Sequence, residues 1–187
     1  MLRESPVKTA TTFAEFLEFE SHSQERHEFV DGNLFVMAGG TDRHNLLAVL
    51  LTAMLFNQAF PKGCYAQSND VLIRTPGGKG YYPDVFVYCD KSLDEPRVKH
   101  RPTIIIEVLS DSTEAIDRGE KWQAYQQIAS LEQYILLSQS EPIAEVYVRD
   151  DAGWRYHKLE GDAELVFPSL EFKVVLSSLY ENLPPLE

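Results

Sequence analysis

The sequence predicts a mixed α/β fold, a central mixed β-sheet flanked by helices, and three observations carry that prediction. An apolar helical stripe runs from Asp42 to about Phe60, two strand-like runs rich in β-branched and aromatic residues cover 81–88 and 103–109, and the last third alternates between short apolar runs and turn residues. With 187 residues, 44% hydrophobic and 25% charged, the chain has the composition of a globular protein. One domain of this length buries roughly 70% of its unfolded surface. The expected layout is one domain over 1–187, with a core over about 12–150 and a β-rich extension over 151–187.

Taken in order, Thr11 and Thr12 offer an N-cap to a short amphipathic helix ending near Glu20. Residues 27–37 hold two strand-like runs around Asp31-Gly32, a strong hairpin signal. The segment from Asp42 to about Phe60, closed by Pro61 and Gly63, reads as a long and largely buried helix. Residues 65–74 read as one strand, and 75–80 as a turn into the Asp84 strand. After the Glu107 strand, Asp111 or Ser112 can cap a helix reaching about Ala129. Strands follow over 132–137, 144–149, 153–159 and 170–175.

Composition narrows the function. No apolar stretch is long and uninterrupted enough to span a bilayer, and residues 1–6 lack the apolar region of a signal peptide. Cys64 and Cys89 stand 25 positions apart without a Cys-x-x-Cys pair, which reads as two buried thiols in a reducing cytoplasm and excludes a zinc motif. The net charge of −12 argues against broad contact with nucleic acid. Against that average, Arg97-Val98-Lys99-His100-Arg101, with Arg118 and Lys121 beyond, reads either as a basic mouth or as a solvated loop. The loop 75–80 lacks the Gly-Lys-Ser/Thr ending of a phosphate cradle, and there is no Gly-x-Ser-x-Gly elbow.

Asp84 and Glu107 each sit inside a run that reads as a buried strand. An ionised carboxylate buried without a partner costs several kcal/mol, so two of them call for a shared cation or a lysine. Lys121 qualifies, on a helix whose Asp117, Lys121 and Tyr125 recur every four residues. The alternatives are buried acids bonded to backbone amides, and an ordinary Asp117 to Lys121 pair on a solvated face. Tyr81, Tyr82, Tyr125 and Trp122 lie near these residues in sequence and either stack on bases or pack in the core.

These residues resemble the PD-(D/E)xK nuclease superfamily. The string Arg26-His27-Glu28-Phe29-Val30-Asp31-Gly32, then His44, Pro83-Asp84-Val85, Glu107-Val108-Leu109-Ser110-Asp111-Ser112-Thr113, and Asp117 with Lys121 and Tyr125 more narrowly resembles the Uma-type family of restriction-endonuclease-like proteins, over about 12–150. Leu109 stands where the parent motif has lysine, and the resemblance assigns that role to Lys121.

The resemblance implies a restriction-endonuclease-like core and a metal-dependent endonuclease acting on DNA. Asp84 and Glu107 would ligate Mg²⁺ or Mn²⁺, with a backbone carbonyl of the Glu107-Val108 segment as a further ligand, and Lys121 and Glu28 would complete the catalytic set. His44, Arg118 and Tyr125 would contact substrate. His44 reads equally as a structural helix-start histidine, and Glu28 as a solvated strand-end acid. A homodimer is expected, because duplex cutting needs two sites and the β-rich third offers strand edges. The rival from another class is a catalytically silent interaction module on the same fold. A hydrolase of a small phosphorylated metabolite is the third reading.

Overall fold

The computed structural model describes residues 5–185 apart from positions 11, 38, 91, 93 and 94. The first strand β1 (Lys8–Thr9) leads into helix α1 (Phe13–His22). Thr12 caps α1: its hydroxyl accepts the Glu15 N–H (3.2 Å), and the Glu15 carboxylate accepts the Thr12 N–H (3.0 Å). The other cap candidate, Thr11, lies outside the described residues. Strands β2 (His27–Val30) and β3 (Asn33–Val36) form the expected hairpin, with Asp31 and Gly32 at positive φ (49° and 82°).

Helix α2 (Asp42–Ala59) starts at Thr41, whose hydroxyl accepts the His44 N–H. A 3₁₀ turn over Phe60–Lys62 ends at Gly63 in the left-handed region. The helix is less buried than the sequence suggests. Leu47, Ala48, Leu51, Leu55 and Ala59 face the core, but Leu46, Val49 and Phe56 are exposed.

The expected strand over 65–74 is two strands, β4 (Tyr65–Gln67) and β5 (Leu72–Arg74). Ser68-Asn69-Asp70 breaks it, with Asn69 at φ 46°, and the halves join different sheets. Next come β6 (Gly80–Tyr81), β7 (Val85–Tyr88), β8 (Val98–Lys99) and β9 (Pro102–Leu109). Gly80 is where β6 passes closest to the α1 layer: a Cβ there would come to 3.0 Å from the Phe13 ring and 3.2 Å from Leu72.

Among the described residues, two mixed sheets of six strands result, with orders β1-β3-β2-β6-β5-β8 and β12-β11-β10-β9-β7-β4, where β10 is Gln133–Ser138, β11 Ile143–Asp150 and β12 Gly153–Glu160. The parallel pairs are β5 with β8 and β9 with β10. Strands β13 (Glu164–Phe167) and β14 (Phe172–Val175) form a separate hairpin.

Alternation along β9 sorts the core. Ile104, Ile106 and Val108 pack with Leu47, Leu51 and Leu55 of α2, whereas Ile105 and Leu109 pack on the other face with Tyr125, Ile128 and Tyr134. That second face is covered by one helical run, α3 (Glu114–Ile116), a π-turn (Asp117–Lys121) and α4 (Trp122–Tyr125). Neither Asp111 nor Ser112 caps it: Thr113 holds the cap position without a side-chain bond to a helix N–H, and the Ser110 hydroxyl pairs with those of Ser112 and Thr113.

One expectation fails outright, and one of two open readings is set aside. Cys64 and Cys89 are not two free thiols: they form a disulfide between the start of β4 and the end of β7, strands that pair antiparallel from Tyr65 opposite Tyr88. The cysteines therefore give no argument for a reducing compartment. The basic run also opens no mouth onto the acids. Lys99 is buried and donates to the Glu95 carbonyl, while His100 and Arg101 face Glu95 and Asp90 and line a different cavity of about 620 Å³ with Arg74. Among the described residues, no helix is long and apolar enough to cross a membrane.

Candidate active site

β7 and β9 pair antiparallel with Val85 opposite Ile106 and Phe86 opposite Ile105. Carried one residue further, that register sets Asp84 across from Glu107, and opposed residues project to one face of a sheet. This is the face that the π-turn covers. Pro83 supplies no N–H. The Asp84 N–H donates to Glu107 Oε2 (3.3 Å) instead of to a ladder carbonyl, and Asp84 Oδ2 accepts the Val108 N–H (2.7 Å).

Glu107 is buried, and its remaining oxygen is shared. Lys121 Nζ donates to Glu107 Oε1 (3.1 Å) and so does the Tyr125 hydroxyl (3.2 Å). Lys121 also lies 3.0 Å from Asp117 Oδ1 and 3.4 Å from Glu28 Oε1, with all four groups almost fully withdrawn from solvent. His44 Nε2 reaches Asp84 Oδ1 from the first turn of α2 (3.0 Å). Residues from β2, α2, the start of β7, β9 and the π-turn thus converge on one cavity of about 510 Å³, also lined by Ser110, Ser112 and Thr113.

The electrostatics follow from this crowding. Burial raises the Glu107 carboxyl well above the ordinary carboxylate range. Lys121 opposes the rise, and Asp117, Asp84 and Glu28 add to it. Burial pulls Lys121 down, yet Asp117, Glu107 and Glu28 overcome it and hold the ammonium charged above its usual range. For His44, burial lowers proton affinity, but the hydrogen bond and charge of Asp84 outweigh it and leave the imidazole raised above 6.5. Tyr125 is raised by burial first and by Glu107 second, so its hydroxyl stays a donor.

The structure brings together Asp84, Glu107, Lys121, Glu28 and His44. Two expected substrate contacts stand elsewhere. Tyr125 is fully buried and serves Glu107, so its ring is closed to a base. Arg118 is engaged by Glu114 and Glu145 and does not line the cavity. The other aromatics are core residues too: Tyr81 and Tyr82 are buried, and Trp122 stacks on Tyr134 and Tyr147.

Asp117 is singled out in the sequence beside Lys121 and Tyr125 but given no catalytic, metal or substrate role. Its spacing of four from Lys121 suggested a solvated pair, yet both are buried, because the π-turn packs them over β9.

Among the described residues lining the cavity, four carboxylates face one ammonium and one imidazole, a surplus of negative charge that a cation would balance. Carboxylate oxygens are hard donors suited to Mg²⁺ or Mn²⁺. Among the described residues, no group of three or more acids or histidines stands ready to hold a metal. The donor set fits a hard cation that takes two protein carboxylates, Asp84 and Glu107, and completes its shell with water and phosphate.

Comparison with known proteins gives a family match, relatives and a likeness of fold. The sequence model of the Uma2 family, described as "Putative restriction endonuclease", matches residues 13–178. The uncharacterized protein slr1290 of Synechocystis sp. is 30% identical over 172 residues, covering 90% of each chain. The uncharacterized protein sll1609 of the same organism is 30% identical over 162 residues, 83% of this chain and 92% of that one. A crystal structure from Anabaena variabilis, of "a putative nuclease belonging to DUF820", superposes with a TM-score of 0.74 at 16% identity over 90% of this chain and 97% of that one. At that identity the likeness is one of fold.

Proposed function

Since the chain belongs to the Uma2 family, we propose that the acid cavity is the active site of a metal-dependent endonuclease that hydrolyses DNA phosphodiester bonds. The observation that carries this reading is the convergence of Asp84, Glu107 and Lys121, from separate stretches of chain, on one cavity. Asp84 and Glu107 would hold Mg²⁺ or Mn²⁺, whose chemistry is to lower the pKa of a bound water and offset charge on the phosphate.

The chain's own residues set the stage for that chemistry. The Val108 N–H and His44 fix the two oxygens of Asp84, while Tyr125, Lys121 and the Asp84 N–H fix Glu107. These bonds hold both acids in place on the strand ends. Among the described residues, Lys121 is the one fixed cation lining the cavity. It neutralises the acids around it and stands where its ammonium can stabilise negative charge on the attacked phosphate. Glu28, whose Oε1 lies 3.4 Å from Lys121 Nζ, would orient water.

One observation favours the silent interaction module. The three ammonium protons of Lys121 are already matched by three carboxylates, and the whole chain carries −12. Titrating Mn²⁺ into the wild type and Asp84→Asn by calorimetry, then incubating each with supercoiled plasmid, separates the readings. A nuclease binds the ion and nicks the plasmid, and Asp84→Asn loses both. Binding without nicking on plasmid or linear DNA defeats the DNA reading and leaves a smaller phosphorylated substrate. No binding leaves the silent module.

A further inference from the structure

Helix α2 has two apolar faces, and the fold uses one of them. Leu47, Leu51 and Leu55 pack into the core against the second sheet. On the opposite side Leu46, Val49, Phe56 and Phe60 are 40%, 62%, 40% and 56% exposed. With the exposed Ala53 between them, they recur at alternating steps of three and four residues. That spacing belongs to a seam buried between two helices. No charged residue occurs from Asn45 to Phe60, although a quarter of the chain is charged. Isolated exposed hydrophobics are ordinary, but a continuous stripe about 21 Å long at 1.5 Å per residue is not.

We propose that this stripe is the contact between two copies of the chain, with their α2 helices antiparallel about a two-fold axis beside Ala53. Charge leaves one place for a second copy. Two bodies of −12 repel, so they meet only where the surface is neutral, and the seam is that surface. The pattern also matches itself. With Ala53 at the axis, Val49 meets Phe56 and Leu46 meets Phe60, while the small central residue allows close approach.

The ends are complementary as well. Asp42, which has no ion pair among the described residues, opens the seam, and Lys62, which pairs with Glu171 of its own chain, lies just past its close, so the antiparallel arrangement brings Asp42 near that lysine across the axis. A lipid surface suits α2 poorly, because such helices carry Lys and Arg along the polar face, and Arg43 is the only such residue on α2. Arg43 is already bound to the Gln139 and Pro184 carbonyls. Self-association through α2 also moves the expected dimer contact away from the β-rich C-terminal third. It stands independently of the reading of the acid cavity.

Sedimentation over a wide range of concentration tests the inference on the intact protein. The wild type sediments as a dimer. Val49→Glu puts an unpaired carboxylate into each half of the seam and weakens the dimer by about a hundredfold or more. Adding Phe56→Lys to Val49→Glu restores it, because each new acid then faces the partner's new lysine. Both positions are exposed, and unchanged circular dichroism verifies the fold of each variant. A wild type that stays monomeric overturns the inference, whether or not it binds lipid vesicles. A dimer indifferent to Val49→Glu overturns it by placing the contact elsewhere, with the β12 edge the next candidate. Dissociation without rescue overturns the antiparallel register.

Discussion

Asp84 and Glu107 are tied through the backbone as well as through any ion they share: the Asp84 N–H donates to Glu107 Oε2, and Asp84 Oδ2 accepts the N–H of the residue after Glu107. Each acid therefore helps to position the other. Displacing either one moves a strand end, which is why substitutions around the pair have effects that can be separated.

Lys121→Ala removes the cation that three buried acids share. Breaking a buried ion cluster from one side costs about 3–5 kcal/mol, read as a lower urea midpoint. Millimolar Mn²⁺ should recover much of that loss, because the ion replaces the missing positive charge, while cleavage stays depressed. Equal destabilisation with and without Mn²⁺ would show that these acids do not hold a cation.

Tyr125→Phe keeps the ring and deletes one donor to Glu107 Oε1. The expected cost is about 1–2 kcal/mol of stability, with Mn²⁺ affinity changed less than tenfold and turnover reduced. A residue that stacked on bases would instead lose DNA affinity, which fluorescence anisotropy with a labelled duplex measures directly.

Proton release follows from the raised Glu107 carboxyl. In the metal-free protein its folded pKa lies above the unfolded value, so between the two the native state holds the extra proton. Stability from this group is greatest at low pH and falls as pH rises through that window. A cation must displace the same proton, so Mn²⁺ affinity should rise with pH over that window, with protons released. Calorimetry in buffers of different ionisation enthalpy counts them. Binding enthalpies independent of buffer in this window would contradict the assignment.

Reduction tests the Cys64 to Cys89 bond. Closing a loop across 25 positions is worth about 3.5 kcal/mol in the chain-entropy estimate. A reductant should lower the melting temperature of the wild type and leave a Cys64→Ala and Cys89→Ala double variant unmoved. Identical shifts in both proteins would show that the reductant acts elsewhere.

Much of the site was legible in the sequence because its chemistry is unusual where it stands. An acid after Pro83 and another inside an Ile-rich run could not both be buried without partners, and Lys121 was the cation within reach. What was hidden depends on pairings that no local pattern encodes. The disulfide requires β4 beside β7, the break at Asn69 requires two sheets to compete for one stretch, and the burial of Asp117 requires a π-turn. On α2, apolar residues read as buried whichever way they faced, so its outer stripe could not be told from its inner one until Leu51 and Val49 were seen to point apart.

The π-turn sets a constraint of phase. At about 100° per residue, two steps of four in a regular helix carry Tyr125 roughly 80° around from Asp117. One extra residue in the turn takes up most of that drift, and Asp117, Lys121 and Tyr125 all come to bear on β9. Gly119, in the middle of the turn, would meet nothing if it carried a Cβ, so no contact there dictates the distortion. What matters is how many residues lie between Asp117 and Tyr125. A one-residue deletion at this point would keep every acid and the lysine in the chain, yet rotate the lysine or the tyrosine off the strand they serve.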